Sequence, residues 1–147
     1  MATAASCRAM GRVVLPIAGT YTVEIYSDRR ATGAYGFQIV SAPPPTVASM
    51  SIGDTITGSI AQTGEWHDYT FAGGSGQVVN LDTIQTTCVT GLQWRLLRPD
   101  GTTQALAAAC RDIGVVTLPV DGTYTIEVYS DGTATGAYGF TTSVGSP

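Results

Sequence analysis

The sequence predicts an all-β fold, an antiparallel β-sandwich of jelly-roll type. Three observations predict it. Thr (22 residues) and Tyr (7) are abundant, and both suit a pleated surface. Gly (18) and Pro (7) break the chain at short intervals with turn signals. Apolar residues recur at period 2 in several stretches, and nowhere at a sustained period of 3.6.

The elements follow in order. Thr55–Ile60 is the first strand of the larger part. In 67–71 alternation puts His67, Tyr69 and Phe71 on one face, and Asp68 on the other. The run Gly73-Gly74-Ser75-Gly76 is a turn. Residues 77–81 turn Val79 and Leu81 inward, and Leu92–Leu97 does the same with Leu92, Trp94 and Leu96. Pro99-Asp100-Gly101 makes a tight hairpin turn. A strand at 115–118 leads to a turn at Asp121-Gly122. Residues 123–129 bury Tyr124, Ile126 and Val128 and point Thr125, Glu127 and Tyr129 outward. Residues 137–142 bury Tyr138 and Phe140. About eight short strands in roughly 100 residues imply two packed sheets.

The chain also repeats itself. Residues 7–44 align without a gap to residues 110–147, at an offset of 103, with 22 identities in 38 positions. The expected organisation is therefore a partial sandwich repeat over 1–42, a Pro-rich linker at 43–46 and a complete repeat over 47–147. The partial repeat matches only the C-terminal part of a unit, as if cut from a longer array. Strands are expected at 20–26 and 34–39, with Tyr21, Val23, Ile25, Tyr35, Phe37 and Ile39 facing inward. The sheet those six side chains need lies outside the sequence, so either another copy of the chain completes them or the segment packs on its own sister domain; the Pro43-Pro44-Pro45 linker favours another copy.

Several runs together resemble the bacterial pre-peptidase C-terminal domain. They are residues 58–60, Asp68-Tyr69-Thr70-Phe71, Gly76-Gln77, and Leu96-Leu97-Arg98-Pro99-Asp100-Gly101. Leu118-Pro119, Gly122-Thr123-Tyr124 and Gly136-Ala137-Tyr138 complete the set. The resemblance covers nearly all of 53–143 and returns for its last third in 11–40. It implies a compact β-sandwich appended to secreted proteases and other exported proteins. His67 departs from the pattern, which often has an acidic residue there. Some members bind collagen with calcium, but no residue here matches those sites.

Charge narrows the function. Seven Arg, no Lys and a net charge of −4 leave no basic stripe for nucleic acid and no polybasic patch for anionic lipid. No apolar stretch approaches the roughly 18 residues of a membrane span. The N-terminus shows no charged region followed by an apolar signal core.

Three cysteines remain. Cys7 is the repeat equivalent of Cys110, which leaves Cys88 and Cys110 within one unit. A Cys88–Cys110 disulfide is expected, and with it an oxidising, extracellular compartment. Two buried free thiols are the alternative. Cys7 is then unpaired, or bonded to another chain.

Candidate chemistry is sparse. His67 is the only histidine, and no G-x-S-x-G elbow accompanies it, so no catalysis is expected. No cofactor is implied. Calcium would need Asp131 together with Asp121 or Asp112, whereas Asp at strand ends ordinarily caps its own backbone. Trp66 and the outward Tyr129 form a candidate stacking platform for sugar, against packing as the plainer reading. The expected function is a non-catalytic extracellular structural repeat, forming a surface array or filament from copies of itself. The rival is an accessory module that holds a secreted hydrolase on polysaccharide or protein.

Overall fold

A computed structural model describes residues 2–5, 7–130 and 132–146. Its nine strands are β1 (Thr46–Ser49), β2 (Thr55–Ile60), β3 (Trp66–Gly73), β4 (Val78–Thr83) and β5 (Leu92–Leu97). They continue with β6 (Thr103–Ala108), β7 (Gly114–Thr117), β8 (Gly122–Ser130) and β9 (Gly136–Val144). There is no helix among the described residues. One sheet has the order β1-β3-β8-β5-β6, the other β2-β9-β4-β7. All pairings are antiparallel except β1 with β3. The molecule is thus a two-sheet sandwich, as the alternating pattern implies.

The predicted inward positions form the core. Val79, Leu81, Leu96, Tyr124 and Ile126 are fully buried, and Trp94 and Phe140 nearly so; Ile60 and Leu118, which the pattern assigns to neither face, are fully buried as well. Trp94 packs on Phe140 at 5.2 Å between ring centroids, and Phe71 stacks on Tyr124 at 5.8 Å. The β2–β9 pair explains one glycine. Gly58 lies opposite Tyr138, and a Cβ there would overlap the Tyr138 hydroxyl. The hairpin turn after β5 uses Gly101 at φ 84°, a left-handed conformation that glycine adopts without penalty.

Two strands depart from the expected list. The sequence at 103–108, TQALAA, is half alanine and lacks the β-branched signal, yet it pairs with β5 as an edge strand. Thr46, expected in the linker, opens β1 instead, an exposed edge strand whose parallel partner the local pattern cannot reveal.

The strands expected at 20–26 and 34–39 do not form; no strand occurs among the described residues before Thr46. A strand exists only when a neighbour completes its hydrogen-bond ladder, and none is present. Local structure nevertheless repeats. The Tyr21 hydroxyl donates to the Ile17 carbonyl at 2.7 Å, as Tyr124 donates to Val120 at 2.8 Å. Ser27 Oγ accepts from the Arg29 amide at 3.3 Å, as Ser130 Oγ accepts from Gly132 at 3.2 Å.

Candidate functional site

The outer face of the five-stranded sheet carries two rungs of side chains. Strand register sets Trp66 opposite Tyr129, and Tyr129 opposite Gln93. Two residues further along, it sets Asp68 opposite Glu127, and Glu127 opposite Arg95. An aromatic rung and a charged rung therefore lie side by side.

The aromatic pair predicted from sequence does meet. Trp66 and Tyr129 sit 5.4 Å apart, tilted by 46°. The Arg95 guanidinium lies 4.8 Å from the Tyr129 ring and 5.5 Å from that of Trp66. Its Nε donates to Glu127 Oε1 at 2.6 Å. Arg12, far away in sequence, brings a second guanidinium to 4.7 Å from the Trp66 ring. Between them opens a cleft of about 310 Å³, lined by Ala9, Met10, Gly11, Arg12, Trp66, Arg95, Tyr129 and Ser130.

Alternation points Glu127 outward, yet it is only 4% exposed. Its neighbours across the sheet cover it. Burial pushes its carboxyl above the ordinary value against the pull of Arg95, and Asp68 beside it adds to the rise. Burial also raises Asp68, opposed by Glu127, Arg12 and Arg95. The rung therefore keeps a proton to higher pH than two isolated carboxyls would.

A stability prediction follows from that sign. Both folded values lie above the unfolded range near about 4. The pair's stabilising contribution is full below that range and is lost as pH rises through the raised values. Asp68→Asn should therefore gain stability relative to wild type between about pH 4 and pH 7. Urea unfolding of both proteins across that range checks it; a pH-independent difference would reject it.

His67 belongs to the other side of β3. Its Nδ1 shares a hydrogen bond with the Tyr138 hydroxyl at 2.6 Å, and its Nε2 with Glu65 Oε1 at 2.8 Å. The hydrogen bond to His67 is the main reason the Glu65 carboxyl lies below its ordinary value. Tyr138 is also bonded to Tyr69, and burial first, then that bond, pushes its hydroxyl far up. Both ring nitrogens are thus engaged in a polar cluster that joins β3 to β9. Glu65, Tyr69 and Tyr138 carry no local motif that would have announced them as His67's partners.

The remaining candidates separate. Cys88 and Cys110 form a disulfide, with Cα atoms 5.0 Å apart. Such bonds persist in oxidising, extracytoplasmic compartments. Cys7 is free and exposed. Asp112 Oδ1 accepts from the Thr83 amide at 2.8 Å, and Asp121 Oδ1 from the Ser75 amide at 2.7 Å, so both hold loops. Asp131 lies outside the described residues. No group of three or more His, Cys, Asp or Glu suited to a metal occurs among the described residues.

No family model and no curated protein matches the chain. Solved structures do. One is the periplasmic inhibitor of g-type lysozyme, PliG, of Aeromonas hydrophila, at TM-score 0.53 and 13% identity. The match covers 69% of this chain and 100% of that one. Another is the pre-peptidase C-terminal domain of collagenase from Bacillus anthracis, at TM-score 0.53 and 18% identity. It covers 69% of this chain and 99% of that domain. At these identities the likeness is one of fold. The resemblance drawn from sequence runs therefore holds for the β-sandwich architecture.

Proposed function

We propose that this chain is a non-catalytic, extracellular structural module whose N-terminal segment is completed by another copy, building a surface array or filament. One observation carries the reading. Tyr21, Val23, Ile25, Tyr35, Phe37 and Ile39, the six residues of the repeated inward pattern, are 43–73% exposed. Five of their counterparts, Tyr124, Ile126, Val128, Tyr138 and Phe140, lie in the core of the complete sandwich, and the sixth, Thr142, is also buried. Full burial of six such side chains is worth roughly 10 kcal/mol, at about 1.5–3 kcal/mol each. Water is a poor neighbour for that surface. The turn hydrogen bonds at Tyr21 and Ser27 preset the local shape of the complete unit, which lowers the entropy lost on docking. A heterologous contact between copies grows a filament unless the rotation closes, and a self-complementary one gives a dimer.

The disulfide supports an extracellular setting. The likeness in fold to a collagenase's appended domain supports a second reading, an accessory module of a secreted hydrolase. Neighbouring coding sequence distinguishes them: further 103-residue repeats favour the array, and a hydrolase domain favours the accessory role.

Light scattering and electron microscopy of the intact chain test assembly directly. Oligomers or filaments are expected at micromolar concentration. Changing Val23, Ile25, Phe37 and Ile39 together to serine should leave monomers with an intact sandwich. Residues 45–147, which contain the whole buried core, should also stay monomeric. A strictly monomeric intact chain rejects the reading, as does equal assembly by residues 45–147.

A further inference from the structure

Among the described residues up to 41, Arg12 alone is not exposed. It anchors an otherwise solvated segment, and it does so on the sandwich's two-rung face. Three features meet there. The Trp66 ring lies 4.7 Å from the guanidinium carbon. The Pro43 carbonyl accepts from Nη2 at 3.2 Å. Burial raises the Asp68 carboxyl, and the charge of Arg12 opposes that rise. Asp68 Oδ1 is buried with no hydrogen-bond partner, so the face retains an acceptor for a cation, and Arg12 Nη1 is a buried donor likewise without a partner. Glu127, by contrast, is already engaged by Arg95. A flat π face, a carboxylate and a carbonyl are what a planar guanidinium requires. A lysine would lose the stacking geometry.

We propose that this cleft is a guanidinium-recognition site, filled in cis by Arg12 and open in trans to the same segment of a second copy. Only the source of the trans ligand rests on the assembly reading; the chemistry of the cleft does not. The complete repeat has Val115 where the partial one has Arg12, so at this aligned position each chain carries one guanidinium. The cation therefore gives the contact a direction that the repeated apolar pattern lacks.

The test uses the full chain carrying Arg12→Ala, which empties the cleft and touches only the anchor. The probe is an acetylated, amidated peptide of residues 9–14, which contains a single arginine. Tryptophan fluorescence reports Trp66, because Trp94 is 1% exposed and shielded from the probe. A saturable response is expected. A peptide with citrulline in place of arginine should bind about tenfold more weakly, the loss expected for a partly desolvated cation–π contact. Asp68→Asn, added to Arg12→Ala, should weaken the arginine peptide by a similar factor. Wild type should respond less at equal peptide, because its tethered Arg12 competes at an effective concentration of about millimolar. No saturable response, or equal binding of the citrulline peptide, would overturn the proposal. Failure of assembly leaves a positive titration standing, and a failed titration leaves assembly standing.

Discussion

Replacing Cys88 and Cys110 together by serine is expected to lower the unfolding free energy by about 3 kcal/mol. The two residues are 22 apart in sequence, and closing a loop of that length restricts the unfolded chain. For a sandwich of this size the loss corresponds to a fall in Tm of roughly 10–20 °C. The bridge joins the β4–β5 connection to the β6–β7 connection. Each of these passes from one sheet to the other, so the bond staples two crossovers at one end of the sandwich. Hydrogen bonds hold the same two connections alongside it. Thr83 Oγ1 donates to the Ala109 carbonyl at 2.7 Å, and the Ile113 amide to the Leu81 carbonyl at 3.1 Å. The native state should therefore keep its shape on reduction, with most of the effect falling on the unfolded ensemble and the rest on the 109–113 connection. Thermal unfolding with and without reductant measures it. An unchanged Tm for the wild type under full reduction would contradict the expectation.

This pairing was legible because the repeat leaves two cysteines within one unit. The core was legible for a similar reason: alternation is a purely local signal. Trp94 and Tyr124 could be assigned inward from their neighbours alone, and both are buried. What stayed hidden depends on tertiary neighbours. Period 2 places Glu127 on the outer face but says nothing of what covers that face. Its burial arises from register, which brings Asp68 and Arg95 to either side of it. Arg12 is more distant still. Nothing near it in sequence indicates Trp66 as its partner, 54 positions away. The strands at 20–26 and 34–39 show the opposite limit. Their pattern is as strong as that of β8 and β9, yet pattern alone does not make a ladder. Equivalent positions of the two aligned segments are core in one and surface in the other, and a strand forms only where a partner stands opposite.

Trp94→Ala should cost about 3–5 kcal/mol, the range for removing a large buried aromatic side chain. Trp94 is 1% exposed and sits at the centre of the sandwich against Phe140. Its Nε1 also donates to the Arg111 carbonyl at 2.9 Å, one residue beyond Cys110. The indole thus holds from the inside the same connection that the disulfide holds by covalent bond. Alanine leaves a cavity and an unpaired carbonyl together, and each adds to the loss. Because the two sites share that connection, their effects should not add independently. Without the bond, the 109–113 connection depends more on the indole, so removing both should cost more than the separate losses combined. Stabilities of single domains are about 5–15 kcal/mol, so the combined variant is expected to be largely unfolded at 25 °C. Urea titrations of the tryptophan variant and the double-serine variant give the separate losses, and circular dichroism of the combined variant without urea gives its folded fraction. A Trp94→Ala loss below about 1 kcal/mol would mean that the core closes around the gap. A combined variant that folds with simple additivity would mean that the indole and the disulfide act on separate parts of the sandwich.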